Sequence, residues 1–252
     1  MAQRRRQDLI MELIQHNGFV TTEQLVAQFK VTPQTIRRDL NGLAKHKKLR
    51  RHHGGAGIDS STVNTDYQAR KIMDLEAKER IAEAMVKLIP DNSSMFINIG
   101  TTTETIAKAL LEKNNLQIVT NNLHVASILS AKDDFHVIIA GGEVRSRDGG
   151  IVGEATRDFI NQFKMDFGII GISGIHNDGS LLDFDYREVR VAQAIIANSG
   201  QILLAADHSK FGRNAMVRLG NITQADHVFT DQTPPPEISR LLTEHDVTLH
   251  LV

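Results

Sequence analysis

Apolar residues recur at helical spacing in three short segments near the start of the chain, and polar turns separate these segments. The three stripes consist of Leu9, Ile10, Leu13 and Ile14, then Leu25, Val26 and Phe29, then Ile36, Leu40 and Leu43. Thr21 and Gln24 have capping-box spacing before the second segment. Thr32 can cap the third, with Pro33 at its first helical position. The pattern predicts three amphipathic helices, the last two joined by a tight turn.

The pattern changes after Lys48. Residues 49–53 read as a short strand, and Gly54-Gly55 follows as a turn. Beside three helices this strand and turn predict a wing, so residues 1–57 are assigned to a winged helix-turn-helix domain. Residues 58–77 hold few large apolar side chains and are assigned to an interdomain linker.

Strand-like apolar runs alternate with helical patterns over residues 78–252. The strands are predicted at 95–99, 118–120, 137–140, 167–172, 202–206, 227–230 and 247–251. Helices are predicted at 78–88, 103–112, 123–131, 154–162, 186–198 and 236–245. Near-continuous apolar strands that alternate with helices favour an α/β domain with a mostly parallel sheet covered on both faces.

The distribution of charged residues also separates the first 57 residues from the rest of the chain. Residues 1–57 contain eleven Lys or Arg against four Asp or Glu, although the whole chain has a net charge of −1. A basic head on an acidic body is typical of a protein that contacts nucleic-acid phosphates. A solvated basic end is the alternative from charge alone.

Other features concern the compartment. The chain has no cysteine, which excludes disulfides and thiolate metal sites and favours a reducing compartment. The basic start of the sequence continues into Gln7-Asp8 without the apolar run of a signal peptide, and no apolar stretch is long enough to span a bilayer. A soluble, cytoplasmic protein is predicted.

The third helix has an outward face that is polar and mostly basic. Two helices joined by a tight turn, with such a face on the second, form the geometry that enters a DNA major groove. The wing would place further cations beside the DNA backbone. The predicted DNA-binding residues are Thr22, Thr32, Gln34, Thr35, Arg37, Arg38, Asn41, Lys45, Arg50, Arg51, His52 and His53.

Two alternatives apply to this region. A three-helix bundle with a solvated basic face would share the pattern of the helices, and the wing favours DNA binding over it. The paired histidines raise the question of a metal. Without cysteine or a nearby carboxylate at ligand spacing, neither a metal nor a cofactor is predicted.

Several predicted strands of the larger domain end in polar residues, and such ends converge at one edge of a parallel sheet. A small-molecule effector is expected there. Its predicted binding residues are Gly100, Thr101, Thr102, Thr103, Thr120, Asn121, Asn122, Gly141, Gly142, Arg145, Asp207 and Lys210. Arg145 and Lys210 are the cations assigned to a phosphate, while Asp207 and the asparagines are assigned to hydroxyl groups. For Arg145, surface solvation or a subunit contact is the alternative.

The chain resembles the DeoR family of bacterial repressors. The resemblance lies in the run from Val31 to Leu40, in Leu43 and in Leu49 to Ala56. It continues through 98–102, 120–122, 141–145 and 207–212, so that it covers essentially the whole chain. It implies a repressor that binds operator DNA, with a sensing domain similar to ribose-5-phosphate isomerase and related sugar-phosphate enzymes.

The resemblance also implies a ligand. This ligand is a phosphorylated sugar or polyol that lowers the affinity of the repressor for DNA. Within the family, residues 141–150 and 184–186 most resemble a member for which glycerol 3-phosphate is the effector. Family members often carry an aspartate where this chain has Asn98. The change removes a charge that would repel a phosphate.

Other functions share parts of this pattern, and the chain is predicted not to be an enzyme because a DNA-binding domain gives an isomerase no evident advantage. An aldose–ketose isomerase would need a positioned base, for which Asp207, Asp183, Asp185 and Glu188 are available. An activator or an architectural DNA-binding protein would share the same DNA-binding domain. Because operator specificity requires paired half-sites, a dimer or tetramer formed through the acidic domain is predicted.

Overall fold

The computed structural model describes residues 3–46, 48–52, 54–58, 60, 62 and 64–252. The chain divides into two compact units, one up to Leu75 and one from Glu76 to Val252. They are named here the N-terminal unit and the C-terminal unit. No helix within the described residues has the length and apolar character needed to cross a membrane.

The N-terminal unit contains the predicted helices and wing. Its elements are α1 (Gln3–Asn17), β1 (Phe19–Thr21), α2 (Thr22–Phe29), α3 (Pro33–Lys45), β2 (Arg50–His52), β3 (Gly55–Gly57) and α4 (Tyr67–Ile72). The strands form an antiparallel sheet in the order β1-β3-β2. The predicted caps are confirmed, because Thr21 and Gln24 make both bonds of a capping box and Thr32 accepts from the Thr35 amide. The helix α4 lies within the segment assigned to a linker.

One apolar cluster holds α1, α2, α3 and the small sheet together. It includes the predicted stripe residues Ile10, Ile14, Leu25, Ile36 and Leu40. One ion pair lies inside it: Arg6 of α1 donates from Nε to Asp39 Oδ2 of α3, and both residues are buried. The pair fixes α3 against α1 at a defined register.

The C-terminal unit is built on a seven-stranded sheet. Its first elements are α5 (Leu75–Leu88), β4 (Ser94–Ile97), α6 (Thr101–Leu110), β5 (Gln117–Thr120), α7 (Leu123–Leu129) and β6 (His136–Ile139). They continue with β7 (Glu143–Arg145), β8 (Gly150–Val152), α8 (Glu154–Ile160), β9 (Met165–Gly171), β10 (Gly174–Ile175), β11 (Ser180–Asp183) and α9 (Tyr186–Ala197). The last are β12 (Ser199–Ala205), β13 (Val217–Asn221), β14 (His227–Thr230), α10 (Pro236–Glu244) and β15 (Thr248–Leu251).

All pairings in the large sheet are parallel, in the order β15-β14-β12-β9-β4-β5-β6. Alternate strand residues enter two apolar clusters: Phe96 and Ile170 belong to one, Met95 and Ile169 to the other. The sheet is therefore covered on both faces. The predicted fold class, a winged helix-turn-helix with a mostly parallel α/β domain, is confirmed.

Two small antiparallel elements were not predicted. Strands β7 and β8 form a hairpin, and β10, β11 and β13 form a separate three-stranded sheet. Their strands are mostly two to four residues long, too short for periodicity to separate them from loops.

Candidate DNA-binding and effector sites

The outward face of α3 carries the residues predicted to read DNA. Ile36, Leu40 and Leu43 are buried, and the opposite side is exposed because the helix turns by 3.6 residues. The structure brings together, along one concave surface, Thr32, Gln34, Thr35, Arg37, Arg38 and Asn41. Lys45 is exposed in the last turn of the helix. None of these polar side chains has a carboxylate partner within the described residues.

The side chains of the wing strand β2 differ in exposure. Arg50 and Arg51 are half-buried, but His52 points inward and is only 8% exposed. Its ring packs edge-on against Phe19, and its Nδ1 lies 3.6 Å from Asp74 Oδ2. The predicted contact of His52 with DNA is thus corrected, because this side chain is buried between Phe19 and Asp74. His53 lies outside the described residues.

Thr22 also lies away from the surface. Its side chain is buried in the first turn of α2, and its amide donates to the Gly54 carbonyl at the turn of the wing. The side-chain contact with DNA that was predicted for Thr22 is therefore corrected as well. Its backbone ties the wing to α2.

In the C-terminal unit, polar residues follow the strands of the large sheet at their carboxyl ends. Four buried side-chain atoms there lack a hydrogen-bond partner within the described part of the chain: Asn121 Oδ1, Asn122 Nδ2, Asp207 Oδ2 and Thr230 Oγ1. A buried polar atom without a partner costs about 1–3 kcal/mol. These atoms are therefore available to the polar groups of a ligand.

Asp207 interacts electrostatically with two lysines. Lys210 Nζ is 3.6 Å from its Oδ2, and Lys78 of α5 is only 2% exposed. Burial alone would raise the pKa of Asp207, but the charges of Lys210 and Lys78 and the hydrogen bonds from Ser209 hold it well below its ordinary value. We name Lys78, Asp207 and Lys210 the lysine–aspartate cluster. Asp207 is therefore ionised, and both lysines contribute to the positive potential around it.

The sheet order places two sets of the predicted effector residues far apart. Asp207 follows β12, whereas Asn121 and Asn122 follow β5, and β9 and β4 lie between these strands. At about 4.8 Å per strand spacing, the groups are about 14 Å apart. A three-carbon phosphate ester is shorter than that. Gly141 and Gly142, exposed beyond β6, lie one strand further away.

Several residues of the β5 group hold the fold itself together. Asn121 Nδ2 donates to Ile151 of the hairpin, and Asn122 Oδ1 caps α7. Thr120 Oγ1 donates to the Ile97 carbonyl, which joins β5 to β4. Near the sheet centre, Thr103 Oγ1 donates to the carbonyls of Asn98 and Gly100. Gly100, Thr101 and Thr102 form the loop and first turn of α6, where amide N–H groups point toward the edge.

Arg145 does not lie free for a phosphate. Its guanidinium makes hydrogen bonds of 2.7–3.0 Å to three carboxylates, those of Asp148, Asp185 and Glu188. We name these four residues the Arg145 cluster. The assignment of Arg145 as a phosphate cation is corrected in this arrangement, because the guanidinium instead clamps the hairpin β7–β8 to α9.

The pKa of Glu188 lies well above its ordinary value. Burial contributes most, the Asp183 carboxylate raises the pKa further, and the attraction of Arg145 offsets only part, so that the pKa is raised to about 8. Glu188 therefore keeps its proton near neutral pH. In the Arg145 cluster, the ionised carboxylates near neutral pH are then those of Asp148 and Asp185.

This shift predicts a pH dependence. Because the pKa of Glu188 rises from 4.5 to about 8 on folding, its contribution to stability is complete below 4.5 and is lost as the pH rises through about 8. We expect Glu188→Gln to flatten the fall in unfolding free energy over this range, measured by denaturant titration at several pH values. Glu154→Gln, at an exposed glutamate of α8, is the control. An equal slope in wild type and Glu188→Gln would contradict the assignment.

Sequence reasoning missed two residues of the lysine–aspartate region. Lys78 was recognisable as a charged residue within the apolar stripe of α5. The buried residues on the same face of the helix are Ile81, Ala82 and Met85. Thr230 ends a strand that was predicted. Among the described residues, no group of three or more His, Cys, Asp or Glu is arranged to hold a metal ion.

A winged helix-turn-helix with an exposed basic recognition helix, followed by an α/β unit with the lysine–aspartate cluster at its strand ends, defines a DNA-binding regulator with a sensor domain. The family comparison agrees. Residues 6–62 match the DeoR-like helix-turn-helix domain, and residues 73–232 match the DeoR C terminal sensor domain. The chain belongs to the DeoR family.

Two relatives are similar over nearly their whole length. The chain is 57% identical to the glycerol-3-phosphate regulon repressor of Escherichia coli over 251 residues, which is 100% of both chains. It is 53% identical to the Haemophilus influenzae protein of the same name, over 93% of this chain and 91% of that one. Among solved structures, ribose 5 phosphate isomerase A from Neisseria gonorrhoeae matches with a TM-score of 0.40 and 18% identity, over 53% of this chain and 52% of that chain. No functional conclusion follows from a match at this level.

Proposed function

We propose that the protein is a transcriptional repressor that binds operator DNA through its N-terminal unit and leaves the DNA when its C-terminal unit binds a phosphorylated small molecule. The observation that carries the proposal is the exposed face of α3, where polar and basic side chains stand opposite a buried apolar stripe. The names of the relatives with 57% and 53% identity support repression and a glycerol 3-phosphate regulon. Glycerol 3-phosphate is the proposed effector.

The proposed effector site lies at the carboxyl ends of β4, β9 and β12. Lys210 and Lys78 attract the phosphate, with the amide groups of Thr101 and Thr102 at the start of α6 completing its environment. Asp207 Oδ2 and Thr230 Oγ1 have no hydrogen-bond partner among the described residues and are suited to hydroxyl groups. A larger sugar phosphate would also reach other predicted residues at the same edge of the sheet, namely Asn121, Asn122, Gly141 and Gly142.

The C-terminal unit is proposed to bind its ligand without converting it. The relatives are named as repressors, although isomerases are among the structural neighbours. Incubation of the full chain with ribose 5-phosphate, followed by NMR of the sugar, tests this point. Formation of ribulose 5-phosphate at an enzymatic rate would contradict it.

Assembly and organisation are part of the proposal. Residues 1–57 are the DNA-binding domain, 58–77 the linker and 78–252 the effector domain, through which the chain forms a dimer or tetramer in the cytoplasm. Paired recognition helices are needed to read two half-sites. Sedimentation at micromolar concentration, with and without operator, tests the assembly, and a monomer under both conditions would exclude it.

The decisive experiment is a DNA-binding titration. Wild-type protein first selects a duplex from a random library. Fluorescence anisotropy then follows binding to that duplex and to a scrambled duplex at one salt concentration, because phosphate contacts make affinity depend on salt. Glycerol 3-phosphate, glycerol, inorganic phosphate and ribose 5-phosphate are added in turn. We expect release by glycerol 3-phosphate alone; release by ribose 5-phosphate instead would overturn the effector, and failure to select any duplex would overturn DNA binding.

Replacement of Lys210 by alanine should separate the two activities. A hydrogen bond to a charged group contributes about 1.5–3 kcal/mol, so the effector should bind about 10- to 150-fold more weakly. Affinity for the selected duplex should stay unchanged, since the substitution lies in the other unit. Calorimetry with glycerol 3-phosphate measures the loss, and Lys164→Ala, at a lysine beyond the opposite end of the sheet, is the control. An unchanged response in Lys210→Ala would exclude this lysine from the site.

A further inference from the structure

Arg51 of the wing has an unusual environment. Its Nη1 is buried and has no hydrogen-bond partner within the described residues. Burial lowers its pKa most, and the positive charge of Arg37 on α3 lowers it further. Strand β2 packs against α3, so these two guanidinium groups come from adjoining elements of the same unit.

Two like charges at such a junction oppose folding. A guanidinium has donors only, so neither Arg37 nor Arg51 can satisfy the other. Neither has a carboxylate partner within the part of the chain that the structure describes. This contrasts with Arg6 and Arg145, two buried arginines that are paired with carboxylates. The junction therefore lacks an anion.

We propose that Arg37 and Arg51 together form the receptor for one phosphate of the DNA backbone, at the junction of the recognition helix and the wing. The proposal rests on the function proposed above and adds an assignment to it. Arg38, one residue further along α3, is not part of this receptor. A single phosphate that both arginines contact fixes the wing and the recognition helix relative to the DNA at the same time.

A phosphate fits this junction better than a base. A phosphodiester presents two anionic oxygens, and guanidinium groups match such oxygens with paired N–H donors. Removing the repulsion between two cations also requires a full negative charge, which the acceptor atoms of a guanine do not carry. The contact should therefore be independent of DNA sequence.

The test is a double-mutant cycle in the full chain, with Arg37→Gln, Arg51→Gln and both, against the selected duplex and its scrambled version. Because a phosphate contact changes the slope of log Kd against log salt by about one, the double variant should lose about one from this slope. A loss of about two, with additive effects on log Kd, would mean two separate phosphates and would overturn the proposal. Operator recognition itself would then still stand, which separates this failure from failure of the proposed function.

Arg38 supplies the matched control. The effects of Arg38→Gln and Arg51→Gln on log Kd should add, since sites without a shared partner act independently. Equal non-additivity in both cycles would overturn the proposal, because it would show that the wing acts on the whole helix.

A second measurement avoids DNA altogether. Without DNA, Arg37→Gln should raise the midpoint of thermal unfolding of the N-terminal unit, since it removes a charge that opposes Arg51. Arg38→Gln should leave the midpoint unchanged. The combination of a more stable unit and weaker DNA binding is not what loss of a structural contact gives, and an unchanged or lower midpoint in Arg37→Gln would contradict the repulsion on which the receptor depends.

Discussion

Replacement of Asp39 by asparagine is expected to unfold the N-terminal unit while the C-terminal unit stays folded. Asp39 is fully buried, and its carboxylate is the acceptor for the Nε–H of Arg6. Removing one partner of a buried ion pair leaves the other charge uncompensated and costs about 3–5 kcal/mol. A small unit has little more total stability than that. The measurement is thermal unfolding followed by circular dichroism, together with DNA binding, which should disappear.

The design of this test includes a rescue. Arg6→Met combined with Asp39→Leu replaces the pair by apolar side chains, which buried ion pairs often tolerate without loss of stability. The double variant should regain much of the fold. Asp8→Asn, at an exposed aspartate of the same helix α1, should have little effect. Normal stability in Asp39→Asn would contradict the importance of the pair.

The second large effect is expected at Arg145. Arg145→Gln removes the guanidinium shared by the carboxyl groups of Asp148, Asp185 and Glu188, so the C-terminal unit should lose about 3–5 kcal/mol at neutral pH. Part of the loss should disappear at acid pH, where the carboxylates take up protons. Denaturant unfolding of the full chain at two pH values measures both effects.

Arg147 is the matched control for this substitution. It lies two residues further on and has a side chain that is 52% exposed, so Arg147→Gln should change stability little. The result also decides between two roles of Arg145. A stable Arg145→Gln variant that no longer binds glycerol 3-phosphate would restore the phosphate contact that the sequence predicted.

The sequence was most informative where local rules decide the structure. The helices α2 and α3, their caps at Thr21 and Thr32, and the exposed face of α3 follow from spacing over a few residues. The large strands followed from apolar runs. Helix boundaries differed by a few residues, as at Thr101, which starts α6 two residues before the predicted position.

The arrangement of the candidate effector site could not be predicted from local sequence patterns, because it depends on contacts between distant residues. The partners Asp185 and Glu188 lie 40 and 43 residues beyond Arg145, so a free cation and a paired one look the same in sequence. The separation of Asn121 from Asp207 follows from the strand order, which the alternation of strands and helices leaves open. His52 was misassigned because a three-residue strand does not reveal which side faces the core.

The pairing of β4 with β9 has a consequence for how the protein is made. The core of the N-terminal unit needs only the first part of the chain, because Ile10, Leu40 and Ala56 already belong to it. The centre of the large sheet, in contrast, pairs Met95 with Phe167 and must wait until that later segment has been synthesised. Since domains tend to fold as they leave the ribosome and contacts between distant residues form slowly, a nascent chain completes its DNA-reading helix well before its sensor. A chain truncated during translation would thus have a folded N-terminal unit without the C-terminal unit that regulates it.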